Sequence, residues 1–247
     1  MSAEPSPPPT GVKIRPLRAA GPIHPDPFQI RALEAALAGR DVLVAAPTGS
    51  GKTWIAEQVA EHAVGNRLEF IYASPLKALS NQKFKDFSRR FGEAAVGIIT
   101  GDVSLNPHAP VLVMTTEIFR NKCVYSPQDL VRTRWVVIDE FHLLDSDRGT
   151  AWEESVIFAP QHVNLICLSA TIPNCDELAR WLGHVRGSAV EVVVEERRPV
   201  PLVWRWFYGT REITAKTAPA LLAQLAKEKE EAGSRRWSRR FTYGGES

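Results

Sequence analysis

Eight consecutive residues constrain this chain more than any other stretch: Ala46-Pro47-Thr48-Gly49-Ser50-Gly51-Lys52-Thr53. An apolar run, Val42–Ala45, leads into them, and a helical pattern, Thr53–Ala63, follows. Phosphate groups are held by converging backbone N–H donors, and glycines let a chain turn tightly enough to present them. The start of the following helix adds partial positive charge. Pro47, Thr48, Gly49, Ser50 and Gly51 therefore read as a phosphate cradle. Lys52 is the cation for the β- and γ-phosphates, and the Thr53 hydroxyl is a ligand for Mg²⁺. Ala46 stands where the general pattern has its first glycine, a position where a small side chain suffices.

A strand–loop–helix of this kind belongs in an α/β sheet, and the rest of the chain agrees. Apolar runs at Phe70–Ala73, Val96–Ile99, Val111–Met114, Trp135–Ile138, Leu165–Leu168 and Val190–Val194 read as strands. Amphipathic stretches between them, including Ala78–Phe91 and Cys175–Leu182, read as helices. Unbroken Val/Ile/Leu strands alternating with helices predict a mostly parallel sheet covered by helices on both faces.

Two strand ends carry further chemistry. Trp135–Ile138 runs into Asp139-Glu140-Phe141-His142, which places carboxylates at the carboxyl edge of the sheet, where such folds bind ligands. Asp139 is expected to hold Mg²⁺ through its water shell, and Glu140 to orient or deprotonate the attacking water. Leu165–Leu168 ends in Ser169-Ala170-Thr171, whose hydroxyls are expected to hydrogen-bond those acids and relay nucleotide state. Upstream, Phe28-Gln29 offers an amide with one donor and one acceptor for an adenine edge, which favours ATP.

With APTGSGKT, DEFH and SAT in this order, the chain resembles the superfamily-2 DExH-box helicases. Ser74-Pro75-Leu76-Lys77-Ala78-Leu79-Ser80-Asn81-Gln82-Lys83, Thr100-Gly101-Asp102 and Thr115-Thr116-Glu117-Ile118-Phe119-Arg120-Asn121 are similar to that family's nucleic-acid-contacting motifs. Arg148-Gly149, Trp152-Glu153-Glu154 and Arg198–Leu202 narrow the likeness to the superkiller-type, exosome-associated RNA helicases. The resemblance implies a RecA-like P-loop NTPase domain using ATP and Mg²⁺. Lys52, Asp139, Glu140, His142, Ser169 and Thr171 would be catalytic. Phe28, Gln29 and Pro47 through Thr53 would bind nucleotide, with Thr53 and Asp139 at the metal. Pro75, Lys77, Thr100, Gly101, Thr116 and Arg120 would lie along single-stranded RNA, with DNA as the alternative. Lys83 and Lys85 read instead as the solvated face of a helix.

The same resemblance implies a second RecA-like domain whose arginine completes the ATP site. The stretch after Thr171 holds no glutamine–glycine–arginine motif of that type, nor the winged-helix and ratchet domains of superkiller-type enzymes. The expectation is a domain that binds ATP, hydrolyses it slowly by itself and does not unwind duplexes. The other readings are a DNA helicase or translocase motor and a non-enzymatic, nucleotide-dependent nucleic-acid-binding module.

Composition sets the outer bounds. With 44% hydrophobic residues the chain can bury a sizeable core, and a net charge of +2 is too small to argue for a polyanion partner by itself. Cys123, Cys167 and Cys175 form no CxxC pair, and the histidines outside His142 show no zinc spacing. No apolar run suggests a signal peptide or a membrane span, so the cytoplasm is the expected location. Residues 1–22 read as a proline-rich arm, 23–202 as the ATP-binding domain and 203–247 as a linker or the start of a second motor domain. Within that last stretch, Ala218–Glu231 suggests a helix, and the arginine-rich end reads as a terminus or the edge of a following domain.

Overall fold

The computed structural model describes residues 24–142, 149–172 and 174–199, with the backbone of 206–208 and 211–213. The proline-rich arm, Arg148, residues 200–202, the Ala218–Glu231 helix and the arginine-rich end lie outside the described residues. The chain divides into two compact units, Met1–Pro199 and Val200–Ser247.

The first unit is built on strands β1 (Asp41–Ala45), β2 (Glu69–Ser74), β3 (Val96–Ile99), β4 (Ser104–Leu105), β5 (Val111–Thr115), β6 (Thr133–Ile138), β7 (Asn164–Ser169) and β8 (Val190–Val194). Its helices are α1 (Pro27–Leu37), α2 (Lys52–Gly65), α3 (Lys77–Phe91), α4 (Thr116–Tyr125), α5 (Gly149–Phe158) and α6 (Cys175–Arg186). In the second unit β9 (Trp206–Tyr208) and β10 (Arg211–Ile213) pair antiparallel.

The eight strands form one sheet in the order β4-β3-β5-β2-β6-β7-β1-β8, parallel except for the β3–β4 pair. Alternation along each strand makes two cores. Val42, Val44, Phe70, Tyr72, Val111, Val113, Val137 and Leu168 face α1, α2 and α3. Leu43, Ala45, Ile71, Ala73, Met114, Val136, Ile138 and Cys167 face α4, α5 and α6. Strands buried on both faces need apolar residues at every position, which is why they read as unbroken runs. The expected α/β fold with helices on both faces is the observed one.

Strand order decides where ligand chemistry sits. The chain leaves β1 for β2, three places away, whereas it leaves β7 for β8, on the far side of β1. Oppositely directed connections open a crevice at the carboxyl ends. Ala45 pairs with Ser169, and Ile138 with Cys167, so the loops after β1, β7 and β6 emerge side by side.

The opposite end of the sheet is tied by a buried ion pair that sequence reasoning did not single out. Arg186, 4% exposed, donates through Nε to Asp41 Oδ2 at 3.0 Å and through its other nitrogens to the carbonyls of Ala159 and Val163 at 2.7 Å each. Asp41 Oδ1 in turn accepts the Leu165 N–H at 2.8 Å. The pair joins the C-terminus of α6 to the first residues of β1 and β7. All three cysteines are buried; burial pushes the Cys123 thiol up to about 12 and raises Cys167 and Cys175 as well, which makes them poor nucleophiles.

Removing one member of such a pair strands the other charge without solvent. Arg186→Met is expected to destabilise the first unit by about 3–5 kcal/mol. Urea denaturation followed by circular dichroism measures this, and an unchanged midpoint would refute it.

Candidate nucleotide and nucleic-acid site

The loop between β1 and α2 turns on glycines. Gly51 is the N-cap of α2 with φ 85°, and a Cβ there would meet Gln29 Nε2 at 2.6 Å. Only glycine satisfies both the left-handed backbone and the close approach. Thr48 and Gly49 are exposed, Pro47 is buried, and the Ser50 hydroxyl is enclosed without a hydrogen-bond partner among the described residues. Lys52 folds back along the loop and donates to the carbonyls of Ala46 (2.7 Å) and Pro47 (3.1 Å). Burial lowers its pKa; Glu140, then Asp139, oppose that shift, while Arg198 reinforces it. The two acids of the DEFH segment therefore both act to keep Lys52 charged.

Asp139 is fixed from two sides. Its N–H donates to Ala73 O at 2.9 Å, and its Oδ2 accepts the Tyr72 hydroxyl at 2.5 Å. Burial first, and Asp139 next, raise the Tyr72 pKa well above the usual phenol value, so the hydroxyl stays a donor. Asp139 Oδ1 accepts the N–H of Glu140, whose φ of 53° is left-handed. A non-glycine residue in that region costs on the order of 1–3 kcal/mol, and such strain gathers at functional sites. Here it turns the half-buried Glu140 side chain away from the line of β6.

The link to Ser169-Ala170-Thr171 differs from the expected one. The Ser169 hydroxyl is buried and finds no partner among the described residues, and Thr171 is exposed. Instead the Ala170 N–H donates to His142 Nδ1 at 3.4 Å, and the same nitrogen lies 3.3 Å from Glu140 Oε2. One ring nitrogen cannot accept from Ala170 and donate to Glu140 at once. His142 Nδ1 therefore lies between Glu140 and the Ala170 amide and bonds one of them at a time, while the two hydroxyls make no such contact among the described residues. Hydroxyl relays look plausible in sequence because hydroxyls are visible there; amide directions are not.

Gln29 and Phe28 also have tasks that their sequence position did not disclose. Gln29 Nε2 donates to Gly51 O at 2.8 Å, and its Oε1 accepts the Asp26 N–H at 2.7 Å, closing a capping box on α1. One donor and one acceptor position of the amide are therefore used to brace the loop. Phe28, expected beside the nucleotide, is 6% exposed and packs in the first core. In that position it anchors α1.

A cleft of about 540 Å³ opens further along the same edge, lined by Pro75, Leu76, Lys77, Gly101, Thr115, Glu117 and Ile118. Three predicted nucleic-acid residues, Pro75, Lys77 and Gly101, meet there. Lys77 is exposed and paired with the equally open Asp102. Thr100 and Thr116 are buried, and Arg120 is half-buried, 3.1 Å from Glu154 of α5. These three stand behind the cleft, outside its lining.

Lys83 corrects another expectation. Lys85 is exposed on α3 as expected, but Lys83 is half-buried and donates to Thr53 Oγ1 at 3.0 Å, with its ammonium 5.7 Å from the centroid of the Tyr72 ring. Helical periodicity placed it on a polar face; it could not show that α2 and β2 lie under that face.

The DEAD/DEAH box helicase family profile matches residues 26–178. The chain is 50% identical over 193 residues to the chloroplastic DExH-box ATP-dependent RNA helicase DExH15 of Arabidopsis thaliana, covering 75% of this chain and 16% of that protein. It is 47% identical over 183 residues to the antiviral helicase SKI2 of Saccharomyces cerevisiae, covering 73% of this chain and 14% of the relative. The matched part of the chain thus spans only about a sixth to a seventh of the length of these relatives. Among solved structures, the Mycobacterium smegmatis helicase Lhr bound to ssDNA and AMP-PNP superposes with a TM-score of 0.56 at 28% identity, over 70% of this chain and 26% of that one. The match of motif order, sheet and site means that the chain belongs to the DEAD/DEAH box family of ATP-dependent helicases, with a motor domain similar to those of the superkiller-type DExH-box proteins.

Proposed function

We propose that the chain binds Mg²⁺–ATP between the 46–53 loop and Asp139–Glu140, and couples its hydrolysis to engagement and translocation along single-stranded RNA. Residues 23–202 act as the motor domain, and 203–247 lead toward a second RecA-like domain that completes the ATP site. The observation that carries this reading is the shared electrostatic environment of Lys52, Glu140 and Asp139, three groups brought together only by the β6-β7-β1 strand order.

The residues present suit a metal-bound triphosphate. An enclosed Ser50 hydroxyl without a partner among the described residues, a left-handed glycine at Gly51 and a helix N-terminus are arranged on one loop. Among the described residues no group of three or more His, Cys, Asp or Glu side chains gathers as a metal-ligand set. Thr53 would ligate the ion directly and Asp139 would hold it through its bound water. Bound there, the ion neutralises charge on the transferring phosphoryl group.

The protein's share follows from its geometry. Lys52 exchanges the Ala46 and Pro47 carbonyls for phosphate oxygens. Glu140, turned out of the strand by its left-handed backbone, orients the attacking water and takes its proton. His142 lies between Glu140 and Ala170 and bonds one of them at a time. Ser169 and Thr171 complete that loop, and Gln29 reads adenine with the donor and acceptor positions its loop contacts leave over. Lys77, Pro75 and Gly101 hold the nucleic-acid backbone without reading sequence, while Thr100, Thr116 and Arg120 support that surface from behind. Free, buried cysteines suit a reducing compartment, the cytoplasm.

DNA is the second reading, favoured by the ssDNA bound to the 28% identical helicase Lhr. Only contacts to the 2′-hydroxyl separate the polymers at a given site. Fluorescence anisotropy with matched oligonucleotides is expected to show tighter binding of RNA; equal affinity would count against the RNA assignment, and tighter binding of DNA would move it to DNA. Lys77→Ala should flatten the slope of log affinity against log salt by about 0.7, the value for one phosphate contact on a single strand. An unaltered slope would remove Lys77 from the interface.

Lys52→Ala is expected to abolish nucleotide binding in equilibrium titrations. Glu140→Gln should retain binding while slowing single-turnover hydrolysis by about 10²–10⁴-fold. Unimpaired binding in the first variant, or unimpaired turnover in the second, would show that these residues do not have the assigned roles.

A further inference from the structure

Two candidate Mg²⁺ ligands are each already in contact with a proton donor from the protein. Tyr72 donates to Asp139 Oδ2, and Lys83 donates to Thr53 Oγ1 at 3.0 Å. The two donors are neighbours, since the Lys83 ammonium lies 5.7 Å from the centroid of the Tyr72 ring. Lys83 is half-buried, and its partners among the described residues are a hydroxyl oxygen and an aromatic face, not a carboxylate. By contrast, Arg89 and Arg90 of the same helix, α3, pair with the carboxylates of Asp86, Glu57 and Glu61. Among the described residues Lys83 thus forms no ion pair, and its ammonium is delivered to the oxygen that is expected to ligate a divalent cation.

An ammonium and Mg²⁺ make opposed demands on such an oxygen. Both seek its electron density, and like charges crowded around one atom repel. A bound triphosphate, on the other hand, welcomes either cation. We propose that Lys83 is a built-in counter-cation of the nucleotide site: it competes with Mg²⁺ for Thr53 Oγ1, supports nucleotide when the metal is absent, and so sets how strongly nucleotide affinity depends on Mg²⁺. Lys83 acts through Thr53 and the phosphates as a positioning residue and takes no part in bond making. Its placement on α3, whose first residue is Lys77 in the cleft, puts this charge on the element that also forms one wall of the nucleic-acid surface. The inference rests on the assignment of the 46–53 loop as the nucleotide site.

The test uses the 247-residue chain and a fluorescent ATP analogue, 2′/3′-mant-ATP, titrated in EDTA and again in saturating MgCl₂. Lys83→Gln is expected to weaken binding in EDTA by about tenfold, the scale of one charge-assisted hydrogen bond, and to change binding in MgCl₂ by no more than about twofold. The Mg²⁺ concentration giving half-maximal binding should fall in the same variant. Lys83→Arg, which keeps the charge, should retain binding in EDTA, and this second variant serves if the glutamine variant proves poorly folded by thermal melting. Equal losses with and without metal, no change in either, or a loss in Lys83→Arg as large as in Lys83→Gln would overturn the proposal. Absence of binding by the unsubstituted chain under both conditions would instead bring down the loop assignment, and the role of Lys83 with it.

Discussion

The ammonium of Lys52 is half-buried, and burial lowers its pKa; Glu140 and Asp139 oppose that shift without cancelling it. Much of the carboxyl edge is organised around that balance. The charge is spent on two loop carbonyls, Ala46 and Pro47, which hold the loop in the compact shape that a helix N-terminus needs to face a phosphate. Gln29 closes the same loop from the other side through Gly51 O. Only the approach of the acids to Lys52 depends on β6, β7 and β1 being consecutive in the sheet, because those groups come from loops far apart in the chain.

The two ends of this three-strand group are held by different means. At the amino end, Arg186 and Asp41 are buried with their polar atoms extensively paired, so the arrangement has little freedom. At the carboxyl end, the Ser50 and Ser169 hydroxyls are buried without partners among the described residues, and Glu140 sits in a strained backbone conformation. Buried polar groups normally find partners, so unmatched ones mark either strain or a place reserved for something else. A rigid base beneath a polar, incompletely paired rim is what a nucleotide-driven motor requires: the sheet fixes the loops, and the ligand supplies the missing interactions.

The sheet was legible because its strands are buried on both faces, and seven runs read from sequence coincide with observed strands to within one or two residues at each end. The short β4, with both residues exposed, left no such signature. Helix α1 was hard to see for a different reason: its buried stripe is Phe28, Ala32, Ala35 and Ala36, which is nearly all alanine and barely hydrophobic in contrast. At the site, chemical types were legible and directions were not. Lys52, Asp139 and Glu140 were found because their motifs fix them to strand ends. Tyr72 read only as part of a buried strand and Lys83 as a surface residue, since each depends on which neighbouring element faces it.

That distinction also explains how two surfaces on one edge can communicate. His142 of the acid segment accepts the Ala170 N–H of the loop after β7, and Asp139 is joined through Tyr72, whose ring lies beside Lys83, to α3. Helix α3 begins at Lys77 in the cleft and carries Lys83 to Thr53 along its length. A helix is stiff over so short a span, so displacement of its first turn is felt at the second. Any ligand that moves Lys77 from Asp102 therefore acts on the same rigid element that touches the candidate metal ligand. Coupling between the cleft and Thr53 requires no long pathway, only a helix whose first residue lines the cleft and whose second turn meets a threonine hydroxyl.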